Sequence, residues 1–286
     1  MSIVVTGATG ALGRLVVERL LATVPAKSVA AVVRSEEKAA ALAARGVEIR
    51  VADYSHPETL AGAFRSGDRV LLVSGSEVGK RVEQHTAVTE AAKAAGVAQL
   101  AYTGVLGGPD ADFLLAAEHK VTEQLILDSG VPYTFLRNGW YTENYTANLG
   151  PVLEHGAVVG NAGEGRVASA TRADFADAAA AVLTGEGHLG KAYELSGDVA
   201  WSLAEYAAMV SEATGREIVY TEVSAAAHQE ILVGAGVPAP FAEILVDVDE
   251  AIRRGLLAGT SGDLARLIGR PTTPASETIA AAVAGS

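Results

Sequence analysis

The sequence contains no cysteine. That single absence excludes disulfides, thiolate zinc sites, iron–sulfur clusters and a cysteine nucleophile together. No apolar run approaches the roughly 20 residues of a membrane span, so no membrane partner is expected. Basic residues are scarce, with 22 Lys and Arg against 34 Asp and Glu and a net charge of −12. No Lys/Arg-rich run gathers the few that exist, so a nucleic-acid backbone would be repelled. The six histidines, at positions 56, 85, 119, 155, 188 and 228, lie far apart without ligand spacing, and no metal site is expected. The first strand starts at residue 2 or 3, leaving no space for a signal peptide. A cytoplasmic location is the expectation.

What is present begins at the N-terminus. Ile3-Val4-Val5-Thr6 is a short apolar, β-branched run. It enters a turn with glycines at 7, 10 and 13, and the run Leu15, Val16, Leu20, Leu21 leaves it with helical spacing. Strand, glycine turn and helix in this order form the context of a dinucleotide site. Gly7 permits the tight turn, Gly10 lets the main chain approach a pyrophosphate, and Gly13 lets the first helix lie close on the sheet. The helix N-terminus then offers free N–H groups to phosphate. The segment Gly7, Ala8, Thr9, Gly10, Ala11, Leu12, Gly13 is therefore the expected cofactor loop.

Further along, Val29–Val33 reads as a second buried strand that ends at Arg34-Ser35. An acid at this place favours NAD and an arginine accommodates the 2′-phosphate of NADP. Arg34 thus points to NADPH, with NADH left open. Ser35 is expected to cap a helix through Ala44 that Gly46 stops. A third strand, Val47–Val51, leads to Asp53, a candidate cofactor contact, and Ser55-x-x-Glu58 has the spacing of a capping box. The fourth strand, Arg69–Val73, places Ser74 and Gly75 at the centre of the carboxyl edge, where ligands of open α/β sheets bind. A helix from about Val82 to Ala95 and a fifth strand, Gln99–Thr103, follow. These repeats predict a Rossmann-like, doubly wound parallel α/β sheet.

A sixth strand, Tyr133–Leu136, runs into Arg137-Asn138-Gly139-Trp140-Tyr141, with Tyr145 close behind. One Trp and two Tyr at a strand's carboxyl end form an expected platform for a flat ring. Beyond Gly150-Pro151 the pattern changes. Gly156–Gly160 and Arg166–Ser169 read as short strands around a Gly-rich turn. Thr171-x-x-Asp174 and Ser202-x-x-Glu205 cap helices, with strands at Lys191–Leu195 and Glu217–Val223, and the remainder is helical. The division expected is a nucleotide-binding domain over 1–150 and a small α+β substrate lobe over 151–286 that partly returns to the sheet. Phe241 and Leu245 are candidate lid contacts.

The G-x-x-G-x-x-G spacing resembles the short-chain dehydrogenase/reductase superfamily. Leu136 to Tyr141 with Asn144, taken with Arg34, the Ser-Gly turn and Glu118-His119-Lys120, resembles its NmrA-like atypical family, closest to the NAD(P)H:quinone oxidoreductases of type 2. The resemblance spans most of the chain. It implies hydride transfer from NADPH to a quinone or other small aromatic substrate. It also implies nicotinamide or substrate contacts for Asn138, Gly139, Trp140 and Tyr141. Orthodox members of the superfamily carry a Ser or Thr at the end of strand five and a Tyr-x-x-x-Lys on the next helix. Here Thr103 stands near the first place and Lys120 in the second, and the tyrosine is replaced by Ala116. Loss of that acid removes roughly a hundredfold or more from the reduction of a plain ketone, whereas a quinone yields an aromatic anion that water protonates. Lys120, Tyr141 and Asn138 are the expected catalytic residues. A non-catalytic NADP sensor and a biosynthetic reductase of an aromatic or polyketide substrate stay open as alternatives, as does a homodimer.

Overall fold

The computed structural model describes residues 1–285. The first half alternates strand and helix: β1 (Ile3–Thr6), α1 (Ala11–Thr23), β2 (Val29–Val33), α2 (Ala40–Ala43), β3 (Glu48–Val51), β4 (Arg69–Leu72), α3 (Arg81–Ala95), β5 (Gln99–Val105), α4 (Ala116–Ser129) and β6 (Tyr133–Asn138). The second half adds α5 (Glu143–Thr146), α6 (Leu149–His155), β7 (Ala157–Gly160), β8 (Arg166–Val167), α7 (Arg172–Thr184), β9 (Lys191–Leu195), β10 (Trp201–Ser202) and α8 (Leu203–Thr214). It ends with β11 (Val219–Glu222), α9 (Ala225–Gly234), α10 (Ala239–Arg253), α11 (Asp263–Ile268) and α12 (Ala275–Ala284). None of the described helices is long and apolar enough to cross a membrane.

Seven strands form one sheet in the order β3-β2-β1-β4-β5-β6-β9, every pair parallel. This is the doubly wound α/β sheet expected. Parallel strands covered on both faces read as unbroken apolar runs, and all five residues of β2 are buried. One face carries α1, α7 and α11, whose core includes Val5, Val16, Leu20, Ala31, Phe175 and Leu183. The other carries α3 and α4 over Val4, Val32, Leu72, Tyr102 and Phe135. Chain order reverses between β1 and β4, which opens a crevice at the carboxyl edge beside β1.

Residues after 150 contribute to two cores. α7, β9 and α11 complete the main sheet, while β7, β8, β10, α8, α10 and α12 build a second core around Trp201, Tyr206, Val248 and Ile252. The two short strands expected around the Gly-rich turn form but do not pair with each other. β7 pairs in parallel with β11 and β8 antiparallel with β10. Both short strands find longer-range partners because their connection, Asn161–Gly165, is held instead by Asp249, Tyr220 and Arg253.

Local capping signals fared unevenly. Thr171 accepts from Asp174 N, and Ser202 and Glu205 make a complete capping box. Ser35 caps nothing: residues 37–39 form a 3₁₀ turn and α2 is a single turn. Ser55-x-x-Glu58 closes no box either, since Ser55 Oγ accepts from Gln84 Nε2 at 3.0 Å and the segment Pro57–Gly62 is 3₁₀.

Candidate functional site: a glycine-walled groove at the carboxyl edge

The turn after β1 is built as tightly as its glycines allow. Gly7 has φ +56, in the left-handed region where a Cβ is disfavoured. Its carbonyl accepts from Gly10 N at 2.9 Å. A Cβ on Gly13 would lie 2.3 Å from that same carbonyl oxygen and 3.0 Å from Ala8 Cα. Gly13 therefore brings α1 against the turn itself rather than against the sheet. Ala8 and Leu12 are buried beneath, while Thr9, Gly10 and Ala11 form the exposed rim. No side chain caps α1 and no acid stands in its first turn, so its leading N–H groups and positive dipole end are left for an anion. The cradle fits a dinucleotide pyrophosphate.

Arg34 follows β2 with its side chain 73% exposed, 3.8 Å from Glu77. Below it, Tyr54 floors the groove: its hydroxyl donates to Thr6 Oγ1 and lies 3.2 Å from the Val73 carbonyl. Burial pushes the phenol up, and the nearby Arg34 guanidinium counters this. Asp53 stands beside them, but one carboxylate oxygen accepts from Ser55 N at 3.0 Å in a local turn. That turn is the role the structure displays for Asp53.

The Ser74-Gly75 turn after β4 is held on every side. Ser74 N donates to Thr103 Oγ1 at 2.9 Å, so the buried Thr103 hydroxyl faces β4 and supports the turn. Gly75 N donates to His85 Nε2 at 3.1 Å, and Arg81 Nε donates to Gly75 O at 2.7 Å. Thr122 Oγ1 donates to the Glu118 carbonyl and so accepts from His85 Nδ1, which leaves Nε2 free to accept. Glu118 takes the N–H groups of Gly79 and Arg81 on its two carboxylate oxygens. His119 turns inward, 2.6 Å from the Tyr102 hydroxyl. The motif that the resemblance set beside Lys120 thus spends two of its three residues on the β4–α3 connection and the core.

Burial, reinforced by Arg81, lowers His85 to about 4 and His119 to about 3. The unfolded chain takes up these protons near pH 6.5, the ordinary histidine value, while the folded protein refuses them until far lower. Stability contributed by the neutral rings is complete above that pH and falls as the solution is acidified, by up to about 1.4 kcal/mol per pH unit for each ring. Urea unfolding midpoints are expected to drop between pH 7 and pH 5. His85→Gln, which loses the titration, is expected to flatten that drop.

At the end of β6, Asn138 is buried and its amide donates toward the Tyr141 hydroxyl at 3.4 Å. Gly139 N bonds the Leu195 carbonyl at 2.7 Å, and a Cβ there would sit 3.0 Å from that oxygen. Burial raises the Tyr141 phenol, so it keeps its proton. Its ring meets Phe175 edge-on, with the Arg172 guanidinium 4.5 Å from its centroid. The expected three-ring platform does not form. Trp140 and Tyr145 join the second core, Tyr145 edge-on to Trp201 at 4.7 Å. Rings following one another in a strand end point to different layers, and the layer under α8 claimed these two. Lys120 stands half-buried in α4, its ammonium making no hydrogen bond or ion pair with the described residues. Phe241 is 52% exposed at the start of α10 and Leu245 half-buried one turn later.

Strand order brings Arg34, the Gly7–Gly13 turn, Ser74-Gly75, Thr103 and Asn138–Tyr141 onto one edge. Sequence reasoning missed Tyr54, His85 and Arg81, and it set Glu118 beside Lys120 without the loop-bracing role it has here. Only Tyr54, directly after Asp53 at a strand end, carried a local signal; the others lie on helices whose facing depends on packing.

The profile of the NAD(P)H-binding family matches residues 7–186. Quinone oxidoreductase 2 of Escherichia coli (strain K12) is 47% identical over 277 residues, 97% of each chain. The crystal structure of the E. coli NADPH-dependent quinone oxidoreductase QOR2 complexed with NADPH is similar at TM-score 0.95 and 46% identity, covering 98% of this chain and 99% of that one. Citrobacter sp. triphenylmethane reductase complexed with NADP(H) is similar at TM-score 0.94 and 44% identity, covering 98% of this chain and 100% of the other. With its glycine turn, sheet order and nearly full-length likeness to quinone oxidoreductase 2, the chain belongs to the NAD(P)H-binding oxidoreductase family.

Proposed function

We propose that the protein is an NADPH-dependent oxidoreductase that reduces quinones. The observation that carries this reading is the likeness to E. coli quinone oxidoreductase 2 along nearly the whole chain. The groove's chemistry supports it. The Gly7–Gly13 turn and the first N–H groups of α1 hold the pyrophosphate, and Arg34 pairs with the 2′-phosphate. The Ser74 hydroxyl and the Asn138 side-chain amide, on the same edge of the sheet, would face the nicotinamide end, while the main-chain N–H groups of Ser74, Gly75 and Gly139 are used inside the fold. Bound there, NADPH supplies the hydride.

The chain's part is proximity and orientation, which supply most of the acceleration when the acceptor needs little acid help. A quinone is such an acceptor, because the oxygen it leaves negative is aromatic and water protonates it. Tyr141 and Lys120 are the candidate donors if one is needed. Tyr141→Phe and Lys120→Met are each expected to change kcat on a simple benzoquinone by less than about tenfold, well under the roughly hundredfold typical of a lost general acid. The purified protein, supplied with NADPH or NADH and a benzoquinone and followed by nicotinamide absorbance, tests the whole reading. Rapid quinone-dependent oxidation favouring NADPH is expected. Tight NADPH binding without turnover would sink it. A cytoplasmic setting belongs to the same proposal.

A further inference from the structure

Arg34 and Glu77 meet across the groove. Arg34 follows β2 and Glu77 lies between β4 and α3, with β1 between those two strands. Adjacent strands stand about 4.8 Å apart, so the pair reaches over the space outside the Gly7 turn, where Tyr54 is the floor. The Glu77 carboxylate is shared: one oxygen faces Arg34 at 3.8 Å and the other Lys80 at 3.1 Å. Its place is prepared from both sides, because Gly75 is clamped by His85 and Arg81 and the Gly79 and Arg81 N–H groups are tied to Glu118. Glu77 is the apex of a short loop anchored at each end.

We infer that Glu77 is an internal competitor for the Arg34 guanidinium and a determinant of how strongly the protein prefers NADPH to NADH. This rests on the reading that Arg34 receives the 2′-phosphate. A phosphate arriving at Arg34 competes with the carboxylate for the guanidinium, and the displaced carboxylate remains with Lys80. NADH brings no phosphate and leaves the pair in place. The carboxylate therefore weakens NADPH binding and spares NADH.

The test is direct titration of both nucleotides, by nucleotide fluorescence, against wild type, Glu77→Gln, Arg34→Gln and the double variant. The Glu77 side chain is partly exposed and Gln has its shape, so folding is not at issue. E77Q is expected to tighten NADPH about threefold to tenfold, leave NADH within about twofold, and lose most of its effect at high salt. In the Arg34→Gln background the E77Q gain is expected to vanish. Equal shifts for both nucleotides, no shift for NADPH, or a gain that persists without Arg34 would overturn the proposal. Should Arg34→Gln leave the NADPH-to-NADH ratio of dissociation constants unchanged, the 2′-phosphate reading itself fails, and the Glu77 proposal with it.

Discussion

Gly13→Ala is expected to weaken NADPH binding at least about tenfold and to cut turnover about a hundredfold, the cost of misplacing reacting groups by about an ångström. The new Cβ would stand 2.3 Å from the Gly7 carbonyl oxygen and 2.8 Å from its carbon. These are backbone atoms, which cannot swing aside as a flexible side chain can. Relief requires α1 to move outward or the turn to open. Overpacking of this kind costs about 1–3 kcal/mol, and the same movement carries the phosphate-facing N–H groups out of line. Gly62→Ala is the control: a methyl there would meet no atom within 4 Å, and the φ of Gly62 is not positive. Thermal unfolding and nucleotide titration of the two variants side by side check the claim. Gly13→Ala binding NADPH as wild type does would remove the turn from the cofactor site.

Glu123→Gln is expected to destabilise the fold by about 3 kcal/mol, the low end for stripping one partner from a buried ion pair. Arg137 donates to both oxygens of Glu123, at 2.9 and 2.7 Å, and to Glu194 at 2.7 Å. The Glu123 side chain is only 6% exposed, so its charge meets little water. Glu194 remains to share the guanidinium, which keeps the loss from being larger. The effect reaches the β5–α4 connection, since Glu194 also accepts from Gly107 N and a Cβ on Gly108 would lie 2.2 Å from Arg137 Cζ. At about 2–4 °C per kcal/mol, Tm is expected to fall by roughly 6–12 °C, with NADPH affinity little changed. A fall under about 2 °C would mean that desolvation of the pair nearly cancels its attraction.

Much of the groove was legible before any fold was known, and the reason is local. A strand, three glycines and a helix are contiguous, so Gly7 to Gly13 declare a turn without reference to the rest of the chain. Arg34, Ser74 and Asn138 come to one edge because each ends or closely follows a strand of a parallel sheet, and parallel strands put their carboxyl ends on the same side. Caps at Thr171 and Ser202 held because the groups involved are three residues apart and meet no rival. Ser55 had the same spacing and failed because Gln84, on α3, reached its hydroxyl.

The aromatic run at 140–145 and the Glu118-His119-Lys120 motif mark the other boundary. Their residue types are conspicuous in the sequence, yet Trp140 and Tyr145 joined the core beneath α8. Glu118 and His119 turned to the β4–α3 loop and to Tyr102. By itself the sequence determined the parallel α/β sheet and the glycine turn after its first strand, because hydrophobic period and glycine spacing are properties of neighbouring residues. Only the tertiary structure decided which conspicuous side chains face the groove and which brace it, because a side chain's partner is chosen by packing between elements far apart in the chain.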